Sequence, residues 1–278
     1  MSTLFLHLLK SATDIKSKTR VTPKVAIQLG TGLTDALNTL LDIHESYEYA
    51  DIFATKQPTA LTHRGRLHLG TIGSTQVCVF QGRLHLYEGH TPYSVCQNII
   101  FAKLLGCDSF ITTNAAGALN PTFAPGDVAL ISDHLNLTGV NPLIGLPEAH
   151  TKHFKTAHLF TDMLHAYNPD LSVQLSKSAT QLGITLNSAV YAGVLGPSLE
   201  TSAERRLIAQ LGADVVGMST VNEVIMGQTL QMKMAGLSVV TNMATGGREQ
   251  QPDSIEQILE YAAKGGAVIC RLIEKALS

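Results

Sequence analysis

Short apolar runs alternate with helical patterns along almost the whole chain. Residues Val25–Leu29, 67–72, 76–80, 109–113, 128–132, 188–195, 214–218 and 237–242 read as strands. Between and around them, 1–20, 34–41, 91–105, 169–182, 202–211, 221–234 and 254–276 carry helical patterns. In the first helix Leu4, Phe5, Leu8 and Leu9 share a face, and Leu6 breaks the pattern. Residues 43–62 and 139–160 read as irregular, loop-like stretches. Such alternation predicts an α/β fold with a largely parallel or mixed central sheet. No compositional break and no internal repeat marks a boundary, so one domain over 1–278 is expected.

Bulk properties remove several function classes. A 45% hydrophobic and 15% charged composition supplies a core without a disordered region. The formal net charge of −2 gives no electrostatic reason to expect nucleic acid or an anionic membrane as partner. The four cysteines, Cys78, Cys96, Cys107 and Cys270, lack CxxC spacing. They read as small buried hydrophobes, so neither a disulfide framework nor a metal site is expected. The apolar run 4–9 has no basic residues before it and no cleavage signal, and no window reaches the length of a membrane span. A soluble cytoplasmic protein is the expectation.

Polar groups collect where strands end. Thr31, Arg83, His85, Asn114, Ala115, Glu200, Ser219 and Asn242 all fall at or just after the C-terminal ends of apolar runs. Open α/β sheets bind their ligands there. The densest stretch is 81–90, QGRLHLYEGH. If it stays extended, Arg83, His85 and Tyr87 share one face and Glu88 takes the other. Thr31, His63, Arg83, His85, the Ala115 amide and Ser219 are hydrogen-bond donors suited to a tetrahedral oxyanion. Glu200 and Asn242 suit the edge of a heterocycle, with Leu199, Val216 and Met218 as apolar walls. Gly30-Thr31-Gly32 follows a strand and precedes a helical pattern, which aims backbone N–H groups at an anion. It lacks the third glycine of the dinucleotide fingerprint, and this weighs against a nucleotide-binding regulatory module.

With these motifs in hand, the chain resembles the trimeric, 6-oxopurine-specific class of purine nucleoside phosphorylases. The matching stretches are GTGL at 30–33, H-x-G at 63–65, GRLHLYEG at 82–89, TNAAGALN at 113–120, GDVALISDHLNLTG at 126–139, GPSLETSAE at 196–204, VVGMSTVNE at 215–223 and TNMATG at 241–246. The resemblance implies a single α/β domain whose mixed central sheet is partly closed into a barrel and surrounded by helices. It implies a homotrimer, or a dimer of trimers, with each site completed by a neighbour. The implied reaction splits purine (deoxy)ribonucleosides with inorganic phosphate, a co-substrate, and needs no cofactor or metal.

Carried over by position, phosphate would meet Thr31, His63, Arg83, His85, the Ala115 N–H and Ser219. Tyr87 and Met218 would contact the ribose, and Glu88 would orient His85 from behind. The base would meet Leu199, Glu200, Val216, Thr241 and Asn242. His85, Glu200 and Asn242 would carry the catalytic burden. A Glu200 carboxylate can accept from N1–H of hypoxanthine or guanine but not from adenine, so inosine and guanosine are expected over adenosine.

The chain departs from the family at four places. Thr31 stands for serine, Leu199 for an aromatic residue and Asn222 for proline. No histidine opens the last helix, where the family contacts the 5′-hydroxyl, so Ser254 or Gln251 would have to substitute. Failing that, 5′-modified nucleosides would be tolerated, as in a methylthioadenosine-type enzyme; xanthosine acceptance is a further alternative. Residues 246–253 are expected to gate the base pocket, and Phe154 is the aromatic expected to reach a neighbouring subunit. The histidines at 134, 150, 153, 158 and 165 read as structural or surface residues, and His90 follows the end of the active stretch.

Overall fold

A computed structural model describes residues 2–32, 40–55, 58, 64–156, 160–248 and 250–278. The helix expected over 34–41 lies outside them up to residue 39, and so do His63 and His158. The strands are β1 (Val25–Leu29), β2 (Asp42–Glu48), β3 (Arg66–Ile72), β4 (Thr75–Gln81), β5 (Ser109–Ala118), β6 (Val128–Asn136), β7 (Leu186–Gly193), β8 (Val215–Gly217) and β9 (Lys233–Met243). The helices are α1 (Ser2–Lys18), α2 (Tyr49–Ile52), α3 (Gln97–Leu105), α4 (Glu148–Phe154), α5 (Pro169–Leu182), α6 (Ser202–Gln210), α7 (Val221–Thr229) and α8 (Ile255–Leu277).

The strands form one mixed sheet in the order β2-β3-β4-β1-β5-β8-β7-β6-β9. β9 also pairs with β5, in parallel, over ten positions from Ser109↔Lys233 to Ala118↔Met243. That pairing closes β5, β8, β7, β6 and β9 into a barrel, and β1, β4, β3 and β2 extend the sheet beyond it. β5 bridges the two parts, because β1 pairs with its first half.

Alternation along the strands explains why both faces are covered. Ala26, Cys78 and Phe80 point into a core with Phe5, Leu8, Phe101 and Phe110. Ile27, Leu29, Val77 and Val79 point the opposite way, onto Ile269, Leu272 and Ile273 of α8. A sheet buried on both faces needs such continuous apolar strands. In α1, Phe5 and Leu8 are fully buried while Leu6 is exposed. The helix thus packs by the face that the spacing predicted. The four cysteines are buried and none forms a disulfide.

Several boundaries differ from the sequence reading. The stretch 43–62 is not irregular where it is described: residues 43–52 lie in β2 and α2. β2 is rich in charge because it is an exposed strand at the sheet's end, where polar residues are tolerated. The stretch 139–160 contains α4. The helix expected over 221–234 stops at Thr229, and Lys233 already opens β9. Gln231, with φ of 55°, makes the break. An apolar run such as this one does not distinguish helix from buried strand by periodicity. β5 continues past Thr113 to Ala118, because β9 and β8 supply partners for a stretch of weak intrinsic strand preference.

Candidate active site

A cavity of about 180 Å³ opens at the C-terminal ends of β1, β4, β5, β8 and β9. Its walls include Thr31, Arg83, His85, Tyr87, Ala115 and Ser219. They also include Leu199, Glu200, Val216, Met218, Thr241 and Asn242. The structure therefore brings together the described residues that the sequence singled out for phosphate, ribose or base, Ser254 and Gln251 excepted. Asn114, Ala116, Gly117, Gly217 and Ile258 complete the lining.

The stretch 81–90 does not stay extended. β4 ends at Gln81, Gly82 has φ of 113°, and Leu86–Glu88 is a turn of 3-10 helix. The alternation that sent Glu88 to the far face is thereby lost. Glu88 folds back instead, and its Oε2 accepts from the His85 backbone N–H at 2.7 Å and lies 3.1 Å from His85 Nδ1. An ionised carboxylate only accepts, so Nδ1 carries the proton and Nε2 is the acceptor. Burial pushes the His85 imidazole below its ordinary range, against Glu88 and with the help of Arg83. In its neutral form this ring can accept a hydrogen bond at Nε2, whereas the sequence reading took it as a donor. Its ring stacks on Tyr87 at 4.7 Å between centroids.

Arg83 is almost fully buried and is held by groups of its own chain. Nε donates to Glu223 Oε1 at 2.8 Å, Nη2 to Thr112 Oγ1 at 2.9 Å, and Nη1 to the Thr113 carbonyl at 2.8 Å. Glu223 also accepts from the Thr112 hydroxyl at 2.6 Å. It sits in the first turn of α7, where the helix dipole favours a carboxylate. Sequence reasoning gave Glu223 no role. Its signal was a lone carboxylate in an apolar helix, inside VVGMSTVNE.

Ser219 reaches the cavity through a tight turn. Thr220 has φ of 68° and ψ of −55°, and the Val221 N–H donates to the Ser219 carbonyl at 2.7 Å. This is a γ-turn with positive φ, a strained state for a β-branched residue, of the kind that concentrates at functional sites. Asn114 Nδ2 donates to Thr220 Oγ1 at 2.9 Å, and the Ser219 N–H donates to Tyr191 Oη at 3.2 Å. Asn222, the departure from proline, is buried in the first turn of α7, and its Oδ1 has no hydrogen-bond partner among the described residues.

A second polar cluster surrounds Asn242. Thr241 Oγ1 donates to Asn242 Oδ1 at 3.0 Å, and Asn242 Nδ2 donates to Asp253 Oδ1 at 2.7 Å. Asp253 Oδ2 accepts from Arg205 Nη2 of α6. Arg205 Nε lies 3.9 Å from Glu200 Oε2. Burial pushes the Glu200 carboxyl above its ordinary range, while the Arg205 guanidinium pulls it down. β5 and β9 pair Gly117 with Asn242 just past a register shift. A Cβ on Gly117 would sit 3.3 Å from Asn242 Nδ2 and 2.9 Å from Ala244 Cβ, so glycine makes room for the amide. Arg205 and Asp253 were not foreseen, since 48 residues separate them in sequence.

Other residues singled out in the sequence lie outside this cavity. Neither Ser254 nor Gln251 lines this cavity; Ser254 Oγ caps α8 by accepting from the Gln257 N–H. The α8 residue in the wall is Ile258. Phe154, the aromatic expected to reach a neighbouring subunit, has ring contacts within its own chain, edge-on against Phe5 and His150. His150 is itself fully buried beside Tyr93, a structural position. The loop 246–253 is tied to α6 near both ends, by Arg206 Nη1 to the Gly246 carbonyl at 2.7 Å and by Arg205 to Asp253.

This fold and this site define a member of the phosphorylase superfamily, whose family model matches residues 24–278. Its relatives narrow the class. Purine nucleoside phosphorylase 1 of Bacillus subtilis is 38% identical over 265 residues, covering 95% of each chain. The Bos taurus purine nucleoside phosphorylase is 36% identical over 250 residues, covering 88% of this chain and 84% of the other. A crystal structure of Schistosoma mansoni purine nucleoside phosphorylase in complex with adenosine superposes with a TM-score of 0.89 at 29% identity, covering 99% of this chain and 98% of that one. The chain belongs to the purine nucleoside phosphorylases, enzymes that transfer the pentose of a purine nucleoside to phosphate.

Proposed function

We propose that this enzyme prefers 6-oxopurine nucleosides, inosine and guanosine with their deoxy forms, over adenosine, and that it serves purine salvage in the cytoplasm. The observation that carries the preference is Glu200, a carboxylate with a nearly buried side chain on the same cavity wall as Asn242. A carboxylate accepts from N1–H of hypoxanthine or guanine. Adenine offers only a lone pair at N1, and the mismatch costs on the order of 10²- to 10⁴-fold in kcat/KM.

Phosphate is bound by Thr31, Ser219, the Ala115 N–H, Arg83 and His85, with His63 as a further donor. Because Arg83 is shared with Glu223, its charge is partly neutralised before phosphate arrives. His85 Nε2 accepts a hydrogen bond from the hydroxyl of a monoprotonated phosphate, which leaves the ionised oxygens towards the sugar. Positive charge develops on the ribose as the glycosidic bond breaks, and the fixed oxyanion stabilises it and then captures it. Charge flowing into the purine strengthens the Asn242 hydrogen bond at that moment, which is what catalysis requires. No cofactor or metal enters these steps. Tyr87 and Met218 flank the ribose, and Leu199, Val216 and Thr241 flank the base.

A second observation bears on the sugar. Ile258 supplies the contribution of α8 to the wall, and Ser254 and Gln251 stay outside it. This supports tolerance of 5′-deoxy and 5′-alkylthio groups on the 6-oxopurine series. The exposed apolar side chains Phe160, Leu164 and Ile144 support a homotrimer in which a neighbour covers them. Phe160 takes the part expected of Phe154. The test is base release from inosine, guanosine, xanthosine, adenosine and methylthioadenosine, each with and without phosphate. Phosphate-dependent release led by inosine and guanosine supports the reading. Adenosine or methylthioadenosine in first place would sink it.

A further inference from the structure

Asn242 reads the base through an amide whose two ends differ, and rotation by half a turn about its Cβ–Cγ bond exchanges donor for acceptor. An adenine and a hypoxanthine differ at the 6-position in the same sense, amino donor against oxo acceptor. The orientation of this one amide therefore bears directly on base choice. In this chain it is fixed from behind. Asp253 Oδ1 lies 2.7 Å from Asn242 Nδ2, and as a carboxylate it only accepts. Thr241 Oγ1 donates to the other end, Oδ1, at 3.0 Å. Arg205, with a side-chain exposure of 6%, donates to the second Asp253 oxygen. A guanidinium has no acceptor, so it fixes the polarity of whatever group faces it.

We infer that Arg205 and Asp253 form a polarity lock that sets which end of the Asn242 amide meets the 6-substituent of the purine, and so act as positioning residues for base specificity. The inference rests on the proposed reading of the base through Glu200 and Asn242. The lock runs along one chain of bonds, Arg205 to Asp253 to Asn242 to Thr241. Reversing one link reverses the rest. In Asp253→Asn the side chain keeps its shape, but only one of its two ends accepts. Arg205 claims that end, because it can only donate. The new NH₂ then faces Asn242, which must turn its own Oδ1 towards it. Thr241 follows without cost in geometry, since a hydroxyl both donates and accepts. The end presented to the base is then exchanged.

The experiment measures kcat/KM for inosine and adenosine at saturating phosphate in the wild type, Asp253→Asn and Asp253→Ala, together with thermal midpoints. The lock predicts that Asp253→Asn lowers the inosine-to-adenosine ratio at least tenfold, with Asp253→Ala between it and the wild type. A purely structural tie between the loop and α6 would weaken both nucleosides in parallel. An unchanged ratio in Asp253→Asn, in protein that still melts cooperatively, overturns the lock while a wild-type preference for inosine keeps the base reading intact. A wild type that prefers adenosine overturns the base reading, and the lock then requires Asp253→Asn to shift the ratio the other way. A wild-type ratio near one overturns both. If Asp253→Asn does not fold, Arg205→Gln, whose amide accepts as well as donates, must lower the ratio by releasing the polarity; an unchanged ratio there overturns the lock.

Discussion

Replacing Arg83 by methionine separates the two tasks of the buried guanidinium. Arg83 and Glu223 have side-chain exposures of 3% and 5%, so neither charge has access to bulk water. Removing Arg83 alone strands the Glu223 carboxylate, with the Thr112 hydroxyl as its remaining donor among the described residues. Breaking a buried pair in this way costs about 3–5 kcal/mol. That is a large share of the roughly 5–15 kcal/mol that holds a folded protein together. The double variant Arg83→Met/Glu223→Leu removes both charges. It still forfeits the bonds from Arg83 to the Thr113 carbonyl and Thr112 hydroxyl, about 1–2 kcal/mol in all. Urea unfolding should thus find the double variant about 2–3 kcal/mol more stable than the single one. Phosphate KM should stay elevated in both, because the cation that faces the oxyanion is gone from both. A double variant no more stable than Arg83→Met would refute the buried-charge argument. Recovery of phosphate KM in the double variant would remove Arg83 from the phosphate site.

Three further outcomes follow from the same geometry. Glu200 titrates above the ordinary carboxylate range because it is buried, and only its ionised form accepts from N1–H. The KM for inosine should therefore rise as pH falls through that raised value, and Glu200→Gln should flatten the profile while weakening inosine by on the order of 10²-fold. Burial lowers the His150 imidazole from its ordinary 6.5 to about 4. The unfolded chain therefore takes up that proton first, and stability present above pH 6.5 is lost as pH falls to about 4, by up to about 3 kcal/mol. His150→Gln should lose less between pH 7 and pH 4.5 in urea titrations. Gly117→Ala pushes a methyl group against Asn242 and Ala244. It should cost about 1–3 kcal/mol of stability and raise nucleoside KM more than phosphate KM.

The sequence carried the site further than it carried the local backbone. Thr31, His85, Ala115, Ser219, Glu200 and Asn242 were legible because strand ends collect ligand-binding groups, and the cavity gathers all of them. The barrel closure was legible only through resemblance. It depends on β5 pairing with both β1 and β9, which no periodicity encodes. The 3-10 turn at Leu86–Glu88 escaped the alternation argument, since β4 ends at Gln81 and Gly82 turns the chain before the residues to which the alternation was applied. Glu223 lay in a quoted motif, yet its partner is 140 residues away. The Arg205–Asp253 pair left no local trace, because α6 and the 246–253 loop meet only once the chain has folded. Leu199 was read as an apolar wall in place of an aromatic, and it lines the cavity from a half-exposed position at its edge.

A crystal structure of the enzyme with hypoxanthine and phosphate tests the assignment of the cavity most directly. The account predicts the purine between Glu200 and Asn242, with N1–H on the Glu200 carboxylate. It predicts phosphate within hydrogen-bond distance of Thr31, the Ala115 N–H, Ser219 and His85. A purine seated instead in the neighbouring cavity beside Arg248 and Tyr261, or a phosphate out of reach of Ser219 and His85, would contradict it.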